Sequence, residues 1–545
     1  MRRIAGISAI LVLAIALSFF NHRGIAPSDE YLYSFHAWQI TTGDFELSPS
    51  AFHNRFGQLL PMAFFIWLFG GHPYVLTLWS LLSFLLLLVG LWVLLRKKGS
   101  WLPWAAIGLI ALNPSLLRLA ADVSHDLVAT AFSTLAVFLV WRLRRAPYPK
   151  PLPSALLFSS FLIWAMLTKL SALIVLPFLA WIAATDLRQG RHLRFWSISL
   201  GVGVLFLLGY LAGYAWFTGD PWYRWHGIEG EHNVSPWSYY GRSGSEILER
   251  LTYHPLAFFL ATPGIGLPLL FSIGGMTFGK PGRTDRLLDF SFTYLLWLLV
   301  FHWFGSSSLQ SYNPMLLAER MWLMLIPPAT IMAVLFFQRL AEQDAPHKSR
   351  LVGLLLLAAL AAAGGWTFYG EERPAFGFSA ITLAVISGAL FAGWEGRRLT
   401  ALIMMAFLIG QVPNIVHFRE QTSFFGERSF FQGLPKGRAN WVVVDSIFIT
   451  KPLAHFDFRP PAQLHLIDWN HPVELQETRP DSLFLLIDRY RAGIMTDYFK
   501  RPLPTGVTDP SGRRLVGNEH FSIYRISAET YERQFVRPAK NQRSD

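Results

Sequence analysis

The chain contains no cysteine, so disulfides, thiolate metal ligands and cysteine nucleophiles are all excluded. It is also poor in charge. Only 15% of its 545 residues are Asp, Glu, Lys or Arg, against about 25% in an ordinary soluble chain. Apolar residues take up the difference: 52% of the chain is hydrophobic, with 45 Phe and 21 Trp, and the mean hydropathy is +0.35. Runs of about 20 apolar residues recur, each long enough to cross ~30 Å of hydrocarbon. The expected fold class is a polytopic α-helical membrane protein. The net charge of +12 does not read as nucleic-acid binding. Its basic residues sit in short clusters between apolar runs, as topology signals do.

Those clusters orient the chain. They are "RKK" 96–98, "RLRRAPYPK" 142–150, "DLRQGRHLR" 186–194, "GKPGRTDR" 279–286, "QRLAEQDAPHKSR" 338–350 and "EGRR" 395–398. Placed in the cytoplasm with the "MRR" start, they leave 21–57, 119–126, 217–255, 305–318 and 369–374 outside. About thirteen crossings are then expected, with the N-terminus cytoplasmic and the C-terminus extracytoplasmic (periplasmic), in a plasma or inner membrane. Residues 1–20 read as a retained signal anchor. "FGQLLPMAFFIWLFG" 56–70 is too short to cross and reads as re-entrant or interfacial. The expected division is a membrane domain over 1–420 and an outer α/β domain over 421–545. In the latter, "NWVVVD" 440–445, "SLFLLID" 482–488 and "FSIYRI" 521–526 read as strands.

Ionisable residues gather beside the outward-facing ends of the apolar runs: Asp29, Glu30, His53, Arg55, Asp122, His125, Asp126, Lys169, Arg224, Arg242, Glu319 and Arg320. Each has a plain structural explanation. Asp122 and Asp126 would favour a helix N-terminus, Lys169 would snorkel, and Glu319 with Arg320 would form an interfacial ion pair. As a set they also fit a shared external cavity, because charge facing lipid is expensive and usually faces a cavity, a partner or a ligand. Arg55, Lys169, Arg224, Arg242 and Arg320 are the cations suited to a lipid phosphate, with His53 and Asp122 beside them. Asp29 suits a carboxylate that takes a proton from an acceptor hydroxyl or amine. Tyr31, Tyr33, His36 and Trp38, which follow it, suit sugar stacking and interfacial anchoring.

The order of these motifs resembles a known family. An acidic pair follows the first apolar run, then "HNRFGQLLPMAFFIWLFG", "SHDLVATAFSTLAVFLVWR", "LTKLSALIVLP", "TGDPWYRW" and "ERMWLMLIPPA". Together they are similar to the C-type (GT-C) glycosyltransferases of the protein O-mannosyltransferase group, including the bacterial lipid A aminoarabinose transferase branch. The resemblance covers roughly residues 1–420. It implies a thirteen-span GT-C fold and an inverting transfer from a polyprenyl-phosphate sugar to a protein, lipid or glycan on the extracytoplasmic face. It also implies Asp29 as catalytic carboxylate with Glu30 beside it, Asp126 (or Asp122) as the second loop acid, and Arg55 as a phosphate contact. "RFGQLLP" lacks the compact Lys-Pro-Pro form of many relatives. No cofactor is required, and a divalent metal held by His53, Glu30 and Asp126 is left open. The competing readings are a secondary transporter or lipid flippase, and a polysaccharide polymerase or ligase. The sequence shows no internal repeat of the kind transporters favour.

Overall fold

A computed structural model describes residues 2–25, 29–96, 101–145, 150–234, 238–277, 286–340, 345–368, 373–394, 396–421, 424–434, 438–445, 451–475, 480–489, 492–493, 496, 503–517 and 521–538. The basic clusters at 96–98, 142–150, 279–286, 338–350 and 395–398 lie partly outside the described residues, as do the connections 21–57, 217–255 and 369–374. The chain divides into two compact units, neither continuous in sequence. The first comprises Met1–Asn21, Leu47–Gln58 and Trp79–Ile415, the second His22–Glu46, Leu59–Leu78 and Val416–Asp545.

The first unit is helical. Among the described residues seven helices are long and apolar enough to cross a membrane, or nine if two bent pairs each count as one span. Ala5–Asn21, Ser349–Gly365 and Ala375–Phe391 are apolar but shorter. Burial separates inner helices from outer ones. His125–Leu143 and Glu319–Arg339 are 83% and 89% buried, while Leu193–Thr218 is only 17% buried. The sequences explain the difference. His125–Leu143 carries Ala129, Thr130, Ala131, Ser133, Thr134 and Ala136, small residues that let neighbouring helices approach closely. Gly90 faces Leu135 at a distance that leaves no room for a Cβ. Leu193–Thr218 instead exposes Leu200, Leu205, Leu208, Trp216 and Phe217, as a lipid-facing surface requires.

Two spans expected to be continuous are broken. Leu102–Ala111 and Pro114–Ala120 meet at 59°, and His254–Ala261 and Pro263–Ser272 at 109°. In both, a proline opens the second piece, where its missing N–H and fixed φ suit the first helical position. The two breaks are joined. Asn113 caps its own helix by accepting from Ser115 N and Leu116 N, and its Nδ2 donates to the Gly264 carbonyl at 2.6 Å. Gly264 lies so close to Ser115 that any side chain there would overlap it.

The second unit holds a five-stranded sheet. Its strands are β1 (Asn440–Val444), β2 (Leu464–Asp468), β3 (Ser482–Asp488), β4 (Arg513–Gly517) and β5 (Phe521–Arg525), in the order β2-β1-β3-β5-β4. β2, β1 and β3 are parallel, while β5 and β4 run antiparallel. The three strands read from sequence are therefore present. "SLFLLID" becomes the central strand β3, buried at every residue, because a continuous apolar run suits a strand covered on both faces. Alternate residues feed two cores: Val443, Leu485 and Ile487 pack with Tyr531 and Phe535, while Val442, Val444, Phe484 and Leu486 pack with Phe431. β4, exposed throughout, carries no apolar alternation and escaped the sequence reading.

Replacing Asn113 by Ala removes a helix cap and strands a buried carbonyl, a loss of about 2–4 kcal/mol from a cap of ~1 and an unmet acceptor of ~1–3. Thermal unfolding of the purified protein in detergent is expected to show it. An unchanged melting temperature would contradict the joint between the two breaks.

Candidate active site

The first unit assembles its charged residues from a short loop and three helix starts. The loop is residues 47–58, held from several sides. Tyr214 Oη donates to Asn54 Oδ1 at 2.8 Å, and Asn54 Nδ2 donates to the Ser48 and Ser50 carbonyls, both at 2.8 Å. His53 Nδ1 lies 2.9 Å from Ser48 Oγ. Gly227 against Pro49 and Gly57 against Thr168 approach too closely for any Cβ. Arg55 therefore extends from a loop fixed at both ends, with its guanidinium 5.8 Å from the centre of the Phe52 ring.

Arg55 Nη1 donates to His125 Nε2 at 2.7 Å, which makes that nitrogen the acceptor. His125 and Asp126 open the helix His125–Leu143, capped by Ser124. Ser124, rather than Asp122 or Asp126, supplies the cap, and the Asp126 carboxylate goes elsewhere. Its Oδ1 accepts from Lys169 Nζ, and its Oδ2 lies 3.2 Å from His125 Nε2. Asp126 is buried, and Lys169 keeps only 13% of its side chain exposed. Lys169 does not snorkel. It sits in extended backbone between the helix Pro151–Thr168 and the tight 3₁₀ turn Leu170–Val175, so its side chain turns inward. Its Nζ also lies 3.2 Å from Met321 Sδ. Met321 belongs to a second 3₁₀ segment, Glu319–Leu325. Exposed Arg320, in the same segment, acts by charge on both His125 and Lys169. The structure thus brings together Arg55, His125, Asp126 and Lys169, with the cation Arg320 in the 3₁₀ segment that also supplies Met321.

The remaining cations have other partners. Arg224 is buried and donates to the Met166 carbonyl at 3.0 Å and the Tyr210 hydroxyl at 3.1 Å. Arg242 pairs with Glu246 at 3.0 Å on an exposed helix start. Asp122 is buried just ahead of the His125–Leu143 helix. Glu319 does not pair with its neighbour Arg320; it accepts from Arg118. Two groups escaped the sequence reading. Fully buried Arg250 donates to the carbonyls of Met315, His302 and Trp303, and buried Glu229 accepts from Ser308 Oγ at 2.6 Å and Leu309 N at 2.8 Å. The partners of each lie 52 to 80 positions away in sequence, so spacing carries no sign of them.

Asp29 and Glu30 belong to the second unit, at the first turn of the helix Asp29–Thr42. Asp29 is half-buried and Glu30 buried. Glu30 Oε1 lies 3.7 Å from Arg23 Nη2. His36, farther along this helix, has its pKa lowered by burial, partly offset by the bond to Gln39 Oε1 at 2.9 Å.

Among the described residues no three His, Asp or Glu side chains gather as a metal site. Of the three donors read from sequence, Asp126 is engaged by Lys169 and His53 by Ser48, and Glu30 lies in the other unit.

No protein-family model matches the chain, and no curated protein matches it in sequence. Solved structures do. ArnT from Cupriavidus metallidurans bound to undecaprenyl phosphate superposes with a TM-score of 0.58 at 14% identity, over 95% of this chain and 97% of that one. ArnT from Cupriavidus metallidurans in the apo state gives 0.59 at 13% identity, over 97% and 99%. What is shared at this identity is the fold, over nearly the full length of both proteins. The chain is a helical membrane protein with the fold of ArnT.

Proposed function

We propose that this protein is an integral membrane glycosyltransferase that moves a sugar from a polyprenyl-phosphate-linked donor to an acceptor on the extracytoplasmic face. The observation that carries the reading is the Arg55–His125–Asp126–Lys169 cluster, with Arg320 beside it. Its fixed guanidinium and ammonium groups, partly withdrawn from water, suit the phosphate of a lipid-linked sugar. The likeness in fold to a protein that binds undecaprenyl phosphate supports the same donor class. Thirteen crossings, a cytoplasmic N-terminus and an outer C-terminal domain complete the proposal, on the strength of the basic loops.

The chemistry is a displacement at the anomeric carbon. The acceptor oxygen or nitrogen attacks from the face opposite the phosphate, the bond from C1 to the phosphate oxygen breaks, and the configuration inverts. Negative charge grows on the departing lipid phosphate, where Arg55, Lys169 and Arg320 stabilise it. Asp126 orients Lys169, and His125, as acceptor, orients Arg55. Asp29 takes the acceptor's proton as its bond to carbon forms. Glu30, held near Arg23, keeps the helix start in place.

Asp29→Asn is expected to lower sugar transfer about 100- to 10,000-fold, the range a general base contributes, while insertion and undecaprenyl phosphate binding persist. Transfer assayed with a polyprenyl-phosphate sugar in nanodiscs checks this, and near-normal turnover would remove the base assignment. Arg55→Ala should weaken undecaprenyl phosphate binding about ten- to a hundredfold, from ~1.5–3 kcal/mol for a charged hydrogen bond. Native mass spectrometry of the lipid complex reads it, and unchanged affinity would count against the phosphate site.

A further inference from the structure

The helix that carries Asp29 is held by residues from the far end of the chain. Within the second unit, Asp29–Thr42 packs against the short helix Lys451–His455. Immediately after that helix the backbone turns through two consecutive left-handed residues, Asp457 at φ 53° and Phe458 at φ 62°. Neither is glycine, and a bulky side chain rarely adopts this conformation. Such strain persists only where surrounding contacts over-determine it. The contacts are present. Arg428 grips both oxygens of Asp457 at 2.9 and 3.1 Å. Phe458 is buried, and its ring lies flat against Trp38 of the Asp29 helix, with centroids 5.7 Å apart and planes 17° apart. On another side sits Gly71, whose missing Cβ would come within 2.7 Å of the Phe458 ring and 2.9 Å of the Asp457 carbonyl.

A second set of contacts grips the other end of the helix. Gly24, at φ +86°, turns the chain just ahead of Asp29 and lies directly against the Phe424 ring, where no side chain would fit. Tyr31, two residues after Asp29, is buried, and the Glu427 charge acts on it. Glu427 is fully buried with His455, 3.0 Å away. The His455 ring is packed between Phe424 and Phe431, with centroids at 4.5 and 5.3 Å.

We infer that Phe458, presented by the strained Asp457–Phe458 corner, is a positioning residue for the Asp29 helix. The C-terminal domain thereby sets the orientation of the candidate base. This rests on the transferase reading given above for the role of Asp29, but the geometry of the grip does not. Phe458 acts through Trp38, nine residues along the helix from the carboxylate, whose ring stacks with both Phe458 and Phe35 and so serves packing rather than the sugar stacking expected from the sequence.

The test uses the full-length protein in nanodiscs, with hydrogen exchange at residues 29–42 and transfer kinetics with a polyprenyl-phosphate sugar. Phe458→Leu, which keeps burial but loses the flat ring, is expected to speed exchange across 29–42 and leave exchange in the His125–Leu143 helix unchanged. It should lower kcat by up to about a hundredfold, the loss that a ~1 Å misplacement can cause, with undecaprenyl phosphate affinity and donor KM unchanged. Trp38→Leu should reproduce this from the other side of the contact, and Trp38→Phe, which keeps an aromatic face, should restore wild-type exchange and kcat. Unaltered exchange and kcat in both leucine variants would overturn the inference. So would a Trp38→Phe variant as impaired as Trp38→Leu, or an effect confined to a rise in donor KM. If the wild-type protein neither binds undecaprenyl phosphate nor transfers sugar, the functional reading falls, and hydrogen exchange still decides whether Phe458 holds the helix.

Discussion

A carboxylate at the start of an almost wholly buried apolar helix is tolerable only if another group answers its charge, because withdrawing an ion from water costs several kcal/mol. Asp126 is that carboxylate, and Lys169 answers it. Much of the site's local geometry follows from satisfying this pair. For Lys169 to reach inward, the polypeptide must stop being an α-helix at Thr168 and resume as a tight 3₁₀ turn, a change of winding that often marks functional positions. The 3₁₀ segment Glu319–Leu325 brings Met321 to the same ammonium and Arg320 close enough to act on it. Beside the Asp126–Lys169 pair stand two further cations, Arg55, which donates to His125, and Arg320. It is this gathering of cations, rather than any single residue, that suits the phosphate of the proposed donor.

How much of this was legible in the sequence depends on the distance over which each feature is encoded. Apolar runs are local, and the helices appear close to where hydropathy places them. Strands β1, β3 and β5 follow from dense β-branched and aromatic runs. Breaks in spans are local as well, yet hydropathy averages over them, so the bends at Pro114 and Pro263 were hidden inside apparently continuous runs. Partners were not legible. Glu319 and Arg320 invite a pairing because they are adjacent, but consecutive helical residues point in different directions, and Glu319 reaches Arg118, 201 positions away. Lys169 and Asp126 are 43 apart. The acids and bases were recognisable as misplaced charges; which met which was decided by packing.

The second unit makes the same point about domains. A boundary near residue 420 is what composition suggests, since apolar runs stop there. Yet the compact unit that contains the sheet also recruits His22–Glu46 and Leu59–Leu78. The recruitment depends on small details that no window average detects: a glycine at 24 where Phe424 leaves no space, another at 71 against Phe458, and two left-handed residues at a corner. Each is a position where ordinary propensity is overruled, and such positions tend to mark function or strain.

The broken spans also bear on the choice between enzyme and transporter, because discontinuous helices are a hallmark of ion and substrate sites in transporters. There, the freed backbone groups are left to face a ligand. Here the freed groups bind protein. Asn113 fills its own helix start and donates to the Gly264 carbonyl of the other break, and Gln411 Nε2 reaches the Leu112 carbonyl at 3.4 Å. With Gly264 packed against Ser115 too closely for a Cβ, the two breaks serve each other as a joint, which is the internal satisfaction that irregular backbone in an apolar setting requires. The cationic cluster lies instead at helix starts, on side chains fixed by a pinned loop and two 3₁₀ turns. A site that must release its cargo to either side needs parts that rearrange; a site that must stabilise charge on a leaving phosphate needs parts that do not. The loop 47–58, pinned by Tyr214 and by close approaches at Gly57 and Gly227, suits the second kind, in keeping with the proposed transfer.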